Sequence, residues 1–174
     1  MSELHITERT IAEAAVRQRA EHIIRFQRAR LRLMKVDHAD RAAAWKIFTE
    51  TGGSALGVER VSIWLFNEDR SAIVCRDLYR QSTQSHEQGA VLEVRHYPKY
   101  FQALASDVVL ATSDARTDPR TGELREHYLP RLGITSMMDA PIHLHWNLVG
   151  VLCLEHTGPP REWTSEEQSF AASV

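Results

Sequence analysis

The chain lacks most of what would mark an enzyme or a membrane protein. It has only two cysteines, Cys75 and Cys153, too few for a disulfide framework or a thiolate zinc cluster. Both lie inside apolar, strand-like runs, the setting of buried reduced thiols, and nothing in the pattern supports a disulfide between them. No apolar stretch approaches the ~18 residues that read as a membrane span. The start, Met-Ser-Glu-Leu-His, has no basic segment followed by an apolar core, so no signal peptide is expected and a cytoplasmic protein is. The net charge of −2 gives no global attraction to nucleic acid or to an anionic membrane. There is no Gly-x-x-x-x-Gly-Lys loop, no His-Glu-x-x-His, no Gly-x-Ser-x-Gly elbow, and no kinase or cyclase motif. The chain as it stands is therefore expected not to be an enzyme.

What is present is ordinary globular material: 43% hydrophobic and 25% charged residues, enough for one core. The pattern divides it into a helical arm, residues 1–38, and a domain, residues 39–174. Residues 7–36 contain no Gly or Pro and predict one helix. Its positions Ala12, Val16, Ala20, Ile23, Phe26 (or Gln27) and Leu33 form an imperfect seam interrupted by Arg30. They suit first a parallel dimer helix, then a solvated arm, and last a membrane-surface helix, whose positive face Glu13 and Glu21 dilute. A second helix is expected from about Asp40 to Leu56, closed by Gly57.

The period then changes to two. Val61–Phe66 and Ala72–Tyr79 predict a hairpin around Asn67-Glu68-Asp69-Arg70. Residues 80–89 read as a loop, 91–94 as a short strand, 97–104 as a short helix and 108–111 as a strand. Residues 114–121 read as a loop, and 122–132 as a helix closed by Gly133 and disturbed by Pro130. A second hairpin pairs 136–145 with 148–155 around Trp146-Asn147. Gly158-Pro159-Pro160 then gives a stiff exit to a last helix. Thr164 and Glu167 are spaced as a capping box for it. A start so well specified is expected to lead into a longer helix, so the last helix reads as truncated. This order predicts an α+β fold with a mostly antiparallel sheet flanked by helices.

Five segments in order resemble a GAF domain: Leu56–Leu65, Asp114–Arg120, Leu132–Ile142, Leu148–His156 and Trp163–Glu167. The wording is most similar to GAF domains at the front of bacterial sensor histidine kinases and diguanylate cyclases. The resemblance implies a PAS-related central antiparallel sheet with helices on both faces, preceded here by the long N-terminal helix. It also implies a pocket under the inner helices, a small unknown ligand, and a homodimer that passes the signal through its N-terminal and C-terminal helices to an output domain. On that basis Trp64, Asp114, Arg116, His127, Tyr128, Ser136, Met137 and Asp139 are pocket candidates, each with a plain structural alternative in a cap, an ion pair or the core.

The family's cofactors find little support in the residues. The inner segment 123–129 has His127 but no Cys, which disfavours covalent bilin, and no feature marks haem. The two asparagines, Asn67 and Asn147, do not precede Lys, which disfavours a cyclic nucleotide. Among metals, His143 and His145 with His156 on the paired strand form a weak candidate set, outweighed by a plain role on a partly wet strand. Two further readings rank lower: a structural dimerisation module without ligand, and a free methionine sulfoxide reductase using Cys75 and Cys153, whose apolar setting argues against reactive thiolates.

Overall fold

The computed structural model describes the backbone of residues 2–174 and the side chains of Thr10 and residues 12–174. A long helix, α1 (Ser2–Leu33), leads through a short turn to α2 (Arg41–Leu56). The Asp40 carboxylate accepts the Ala43 N–H and starts α2, and Gly57 ends it at φ 62°, where a side chain would meet its own backbone. The strands follow as β1 (Arg60–Phe66), β2 (Ala72–Arg80), β3 (Ser85–Glu87) and β4 (Val91–Glu93). Then come α3 (Pro98–Ser106), β5 (Leu110–Thr112), the one-turn α4 (Leu129–Leu132), β6 (Ile134–Leu144), β7 (Asn147–Thr157) and α5 (Ser165–Ala171). The sheet is antiparallel in the order β3-β2-β1-β7-β6-β5, and β4 pairs with the other end of β2.

Two cores lie on opposite faces of this sheet. On the outer face, Val61, Ile63, Leu152, Leu154 and Met138 pack against Phe26 of α1, Leu56 of α2 and Phe170 of α5. On the inner face, Trp64, Val151, Cys153 and Met137 pack under Tyr100 and Leu104 of α3 and Leu129 of α4. A bulge in the β1–β2 ladder, where Ile63 faces Asp77 but Trp64 faces Cys75, leaves both Cys75 and Leu78 on the inner face. Gly150 of β7 passes so close to β1 that a Cβ there would overlap the Trp64 carbonyl oxygen. Gly150→Ala should therefore cost about 1–3 kcal/mol by forcing the central strands apart, read as a lower urea midpoint with unchanged slope.

Several expectations change in detail. The stretch 80–89 holds β3, a three-residue edge strand on β2. The strand expected at 108–111 is shifted to Leu110–Thr112, which leaves Val108 exposed. The helix expected over 122–132 is broken into a 3-10 turn at Gly122–Leu124 and the one-turn α4. Pro130 lacks the N–H that a continuous helix would need, and it sits instead in the first turn of α4. The second hairpin turns at His145 and Trp146, at φ 48° and 68°, one residue earlier than expected. The capping box at α5 is made as expected: Thr164 Oγ1 accepts the Glu167 N–H, and Glu167 Oε2 accepts the Thr164 N–H.

The seam expected on α1 is divided between two faces. Phe26, Ala29 and Leu33 are buried inside the molecule, and Phe26 stacks on Phe170 with ring centroids 5.0 Å apart. Arg30 belongs to this face: its Nε donates to Ser173 Oγ and its guanidinium lies over the Phe170 ring. Val16, Ile24, Leu31 and Met34 are exposed outside that contact, and Ile23, also exposed, sits at the edge of the groove between α1 and α5. The pairs Arg19–Glu166 and Arg30–Ser173 show α1 and α5 running parallel. Among the described residues, no helix is long and apolar enough to cross a membrane.

Candidate functional site

Alternation along the central strands places a polar stripe in the middle of the apolar inner face. Asp139 of β6 pairs with Cys153 of β7, which pairs with Ser62 of β1. One rung on, Met137 pairs with Glu155, which pairs with Arg60. Helices from the opposite side reach down to both rungs. Tyr100 of α3 donates its hydroxyl to Asp139 Oδ2 at 2.6 Å, and Tyr128, just before α4, donates to Glu155 Oε1 at 2.8 Å. Arg60 Nε donates to Glu155 Oε2 at 2.8 Å, in an ion pair with both side chains almost fully buried. The two covering segments are tied together, because the Glu123 carboxylate accepts the Lys99 and Tyr100 N–H groups at the start of α3.

Burial governs the electrostatics here. Removal from water, opposed by the Tyr100 hydrogen bond and reinforced by the Glu155 charge, pushes the Asp139 carboxyl up to about 7. Burial opposes the Arg60 charge, but Glu155 more than offsets this and holds the guanidinium above its ordinary value. Tyr100 and Tyr128 are pushed well up, first by burial and then by the carboxylates they face. Because folding raises the Asp139 pKa, its contribution to stability is fully present below about pH 4. It is lost as pH rises toward 7, at up to roughly 1.4 kcal/mol per pH unit. Asp139→Asn should flatten this fall, seen as a shallower drop in melting temperature between pH 4 and pH 7 than in the parent chain.

The candidate residues separate into three groups. Trp64, Met137, Asp139 and Tyr128 come together on the inner face, with the Trp64 indole N–H donating to Ser62 Oγ. Ser136 is buried but serves the exit from the sheet: its Oγ donates to the Ser113 carbonyl and accepts the Arg161 N–H. Asp114, Arg116 and His127 do not join the stripe. Asp114 Oδ1 accepts the Arg116 N–H in a turn, and the Arg116 and His127 side chains are exposed.

The three candidate metal ligands are not brought together either. His143 pairs with Leu148 near the hairpin tip, His145 is in the turn itself, and His156 pairs with Ser136 at the far end. Among the described residues, no group of three His, Cys, Asp or Glu side chains could hold a metal ion. Cys75 and Cys153 are free, buried, and on β2 and β7 with β1 between them. Burial pushes Cys75 up to about 12 and Cys153 well above its ordinary value, so both stay protonated thiols.

Tyr100, Arg60, Glu155 and Cys153 are site residues that the candidate set missed. The available signal was polar residues at every second position of otherwise apolar strands: Arg60 and Ser62 before Trp64, and Cys153 before Glu155. A separate groove of about 650 Å³ lies on the outer face between α2 and the end of α5, lined by Trp45, Phe48, Ile63, Leu65, Ile142 and Val174.

An antiparallel sheet carries α1, α2 and α5 on one face, and short helices close the other. The GAF domain family profile matches residues 40–174, and the chain belongs to that family. Similar solved structures include the Thermosynechococcus elongatus PixJ GAF domain in its blue-light absorbing form. It is 20% identical, with 78% of this chain and 80% of that one covered and a TM-score of 0.63. The GAF domain of an Acinetobacter phosphoenolpyruvate-protein phosphotransferase is 14% identical over 87% and 86% of the two chains, with a TM-score of 0.66. The phycocyanobilin-bound GAF domain of a cyanobacterial phytochrome is 18% identical over 87% and 88%, also with a TM-score of 0.66. No curated protein sequence matches the chain.

Proposed function

We infer that this chain is a sensory and regulatory module that takes a small molecule between the inner face and its covering helices. It passes the occupancy of that site through α1 and α5 to an output domain of histidine kinase or diguanylate cyclase type. The observation that carries this reading is the pair of buried contacts, Tyr100–Asp139 and Tyr128–Glu155, that join the cover to the central strands. A purely structural domain gains nothing from burying two carboxylates there, since an apolar contact of the same shape is as stable.

A physical route leads from the cover to the outgoing helix. The second half of the cover, residues 114–132, leaves the sheet at Thr112 and Ser113, and both are bonded to the segment that enters α5. The Thr112 carbonyl accepts the Trp163 indole N–H at 3.0 Å, and Ser113 Oγ donates to Glu162 at 3.0 Å. Arg161 pairs with Glu167 in the first turn of α5. A shift of the cover therefore moves the start of α5, which is packed along α1. The exposed apolar residues Val16, Ile24, Leu31 and Met34 form the surface through which two copies meet as a homodimer.

The cyanobacterial phytochrome neighbour is phycocyanobilin-bound, but covalent attachment of a bilin is disfavoured in this chain because 122–132 has no Cys and both cysteines sit on central strands. Native mass spectrometry of the protein taken from its own cells tests the reading. The expected result is an excess mass that leaves on denaturation. A bare chain whose melting temperature does not respond to a small-molecule extract of the same cells would overturn it in favour of a structural dimerisation module.

A further inference from the structure

Two buried polar atoms of the stripe have no hydrogen-bond partner of good geometry among the described residues, Asp139 Oδ1 and Arg60 Nη1, although the Cys153 thiol lies against Asp139 and the Tyr128 hydroxyl near Arg60. Asp139 is 0% exposed and Arg60 3% exposed. An unsatisfied buried polar atom costs about 1–3 kcal/mol, and more if charged, so native structures almost always supply a partner. These two atoms ask for opposite partners: a carboxylate oxygen accepts, and a guanidinium nitrogen only donates. They belong to β6 and β1, the strands on either side of β7, on the same face of the sheet. Asp139 lies level with Ser62, so Arg60 is two strands across and one inner-face rung along from it, at a strand spacing of about 4.8 Å.

Charge and surroundings narrow the chemistry. The Arg60 charge is already matched by Glu155, so its free N–H needs only a neutral acceptor. Asp139 has no cationic partner, and its neighbours are the hydroxyl of Tyr100 and the thiol of Cys153. The aromatic residues packed around the stripe are Tyr100, Trp64 and Tyr128, side chains of the kind that take a flat or cationic guest once the cover is displaced. Resting on the sensory reading above, we propose that the ligand is a small organic cation built on a planar ring. It is an amidinium or protonated amine whose N–H groups bond Asp139 Oδ1, with a carbonyl-type acceptor at its other end that bonds Arg60 Nη1. Entry displaces the cover at the short, broken segment 122–132.

The test is calorimetric titration of the whole chain with 4-carbamoylbenzamidine, benzamidine, benzamide and benzoate at pH 8. The amidines are expected to bind at least tenfold more tightly than benzamide, and benzoate not at all. Asp139→Asn should weaken amidine binding at least tenfold while melting no lower at pH 8. Arg60→Lys keeps a charge for Glu155 but lacks the Nη1 arm of the guanidinium fork, so it should abolish the advantage of the carbamoyl group over plain benzamidine. Because a protonated Asp139 must lose its proton to receive a cation, affinity should fall by up to tenfold per pH unit below about 7. Equal affinity in the parent and Asp139→Asn overturns the proposal, as does preference for benzoate. So does absence of amidine binding together with an ordered water on Asp139 Oδ1 in a crystal structure. If amidines fail but the protein yields a bound molecule of another chemistry, the sensory reading stands and only this inference falls.

Discussion

Arg60→Met should cost about 3–5 kcal/mol of folding stability. Glu155 is 1% exposed, so without Arg60 its charge has no water and no counter-ion. It would keep only the Tyr128 hydroxyl, a neutral donor. The loss measures the stranded charge rather than the worth of the pair. For that reason the double variant Arg60→Met with Glu155→Gln should recover most of it: the introduced amide is neutral and still offers an oxygen to Tyr128. Urea unfolding of the parent, the single variant and the double variant checks this. A single variant within about 1 kcal/mol of the parent, or a double variant no better than the single, would contradict the buried-pair description.

Phe170→Ala should cost about 3–5 kcal/mol as well, but its loss falls on a different part of the molecule. Phe170 is 1% exposed, stacked on Phe26 and covered by the Arg30 guanidinium. α5 has only seven residues, too few to hold as a helix without its packing. Removing the ring takes away the side chain that joins α5 to α1. Amide exchange should therefore rise first in residues 165–171 and 19–33, with the β1–β7–β6 centre of the sheet still protected at the same denaturant concentration. A loss below about 1 kcal/mol, or a loss spread evenly over the sheet, would show that α1 and α5 are not held together at this point.

How far the sequence was legible follows from how local each signal is. The caps at Asp40, Gly57 and Thr164 involve residues three or four apart, and all three helix ends are where the pattern predicts them. Both hairpins were legible for the same reason, although the turn at His145 and Trp146 uses positive φ at two residues that do not advertise it. The helix expected over 122–132 failed because Pro130 lets a helix begin but not pass through it. On α1, three-four spacing marked the apolar positions but not which of them would be taken by α5. Arg30 looked like an interruption until its partners, Ser173 and the Phe170 ring, were in place.

The site shows the same limit more strongly. Asp139, Tyr128 and Met137 were candidates because the family resemblance points to their segment, 112–139, and Trp64 was one as apolar wall; the structure gathers all four on the inner face. The partners of Asp139 and Tyr128, Tyr100 and Glu155, are 39 and 27 residues away in the chain. Arg60 and Glu155 are 95 residues apart, and no spacing rule joins them. Asp114, Arg116 and His127 carry the right chemistry in the right segment, but the turn and the exposed edge hold them away from the stripe.

The central claim is that filling the inner face is felt at the outgoing helix. The direct measurement is hydrogen exchange at α5 and the second half of α1, in protein freed of small molecules by unfolding and refolding, before and after the molecule recovered from the native protein is added back. Exchange within 165–171 and 19–33 is expected to change when the molecule binds, along with protection of the covering segment 98–132. Binding that protects the cover but leaves α5 and α1 unchanged would contradict it.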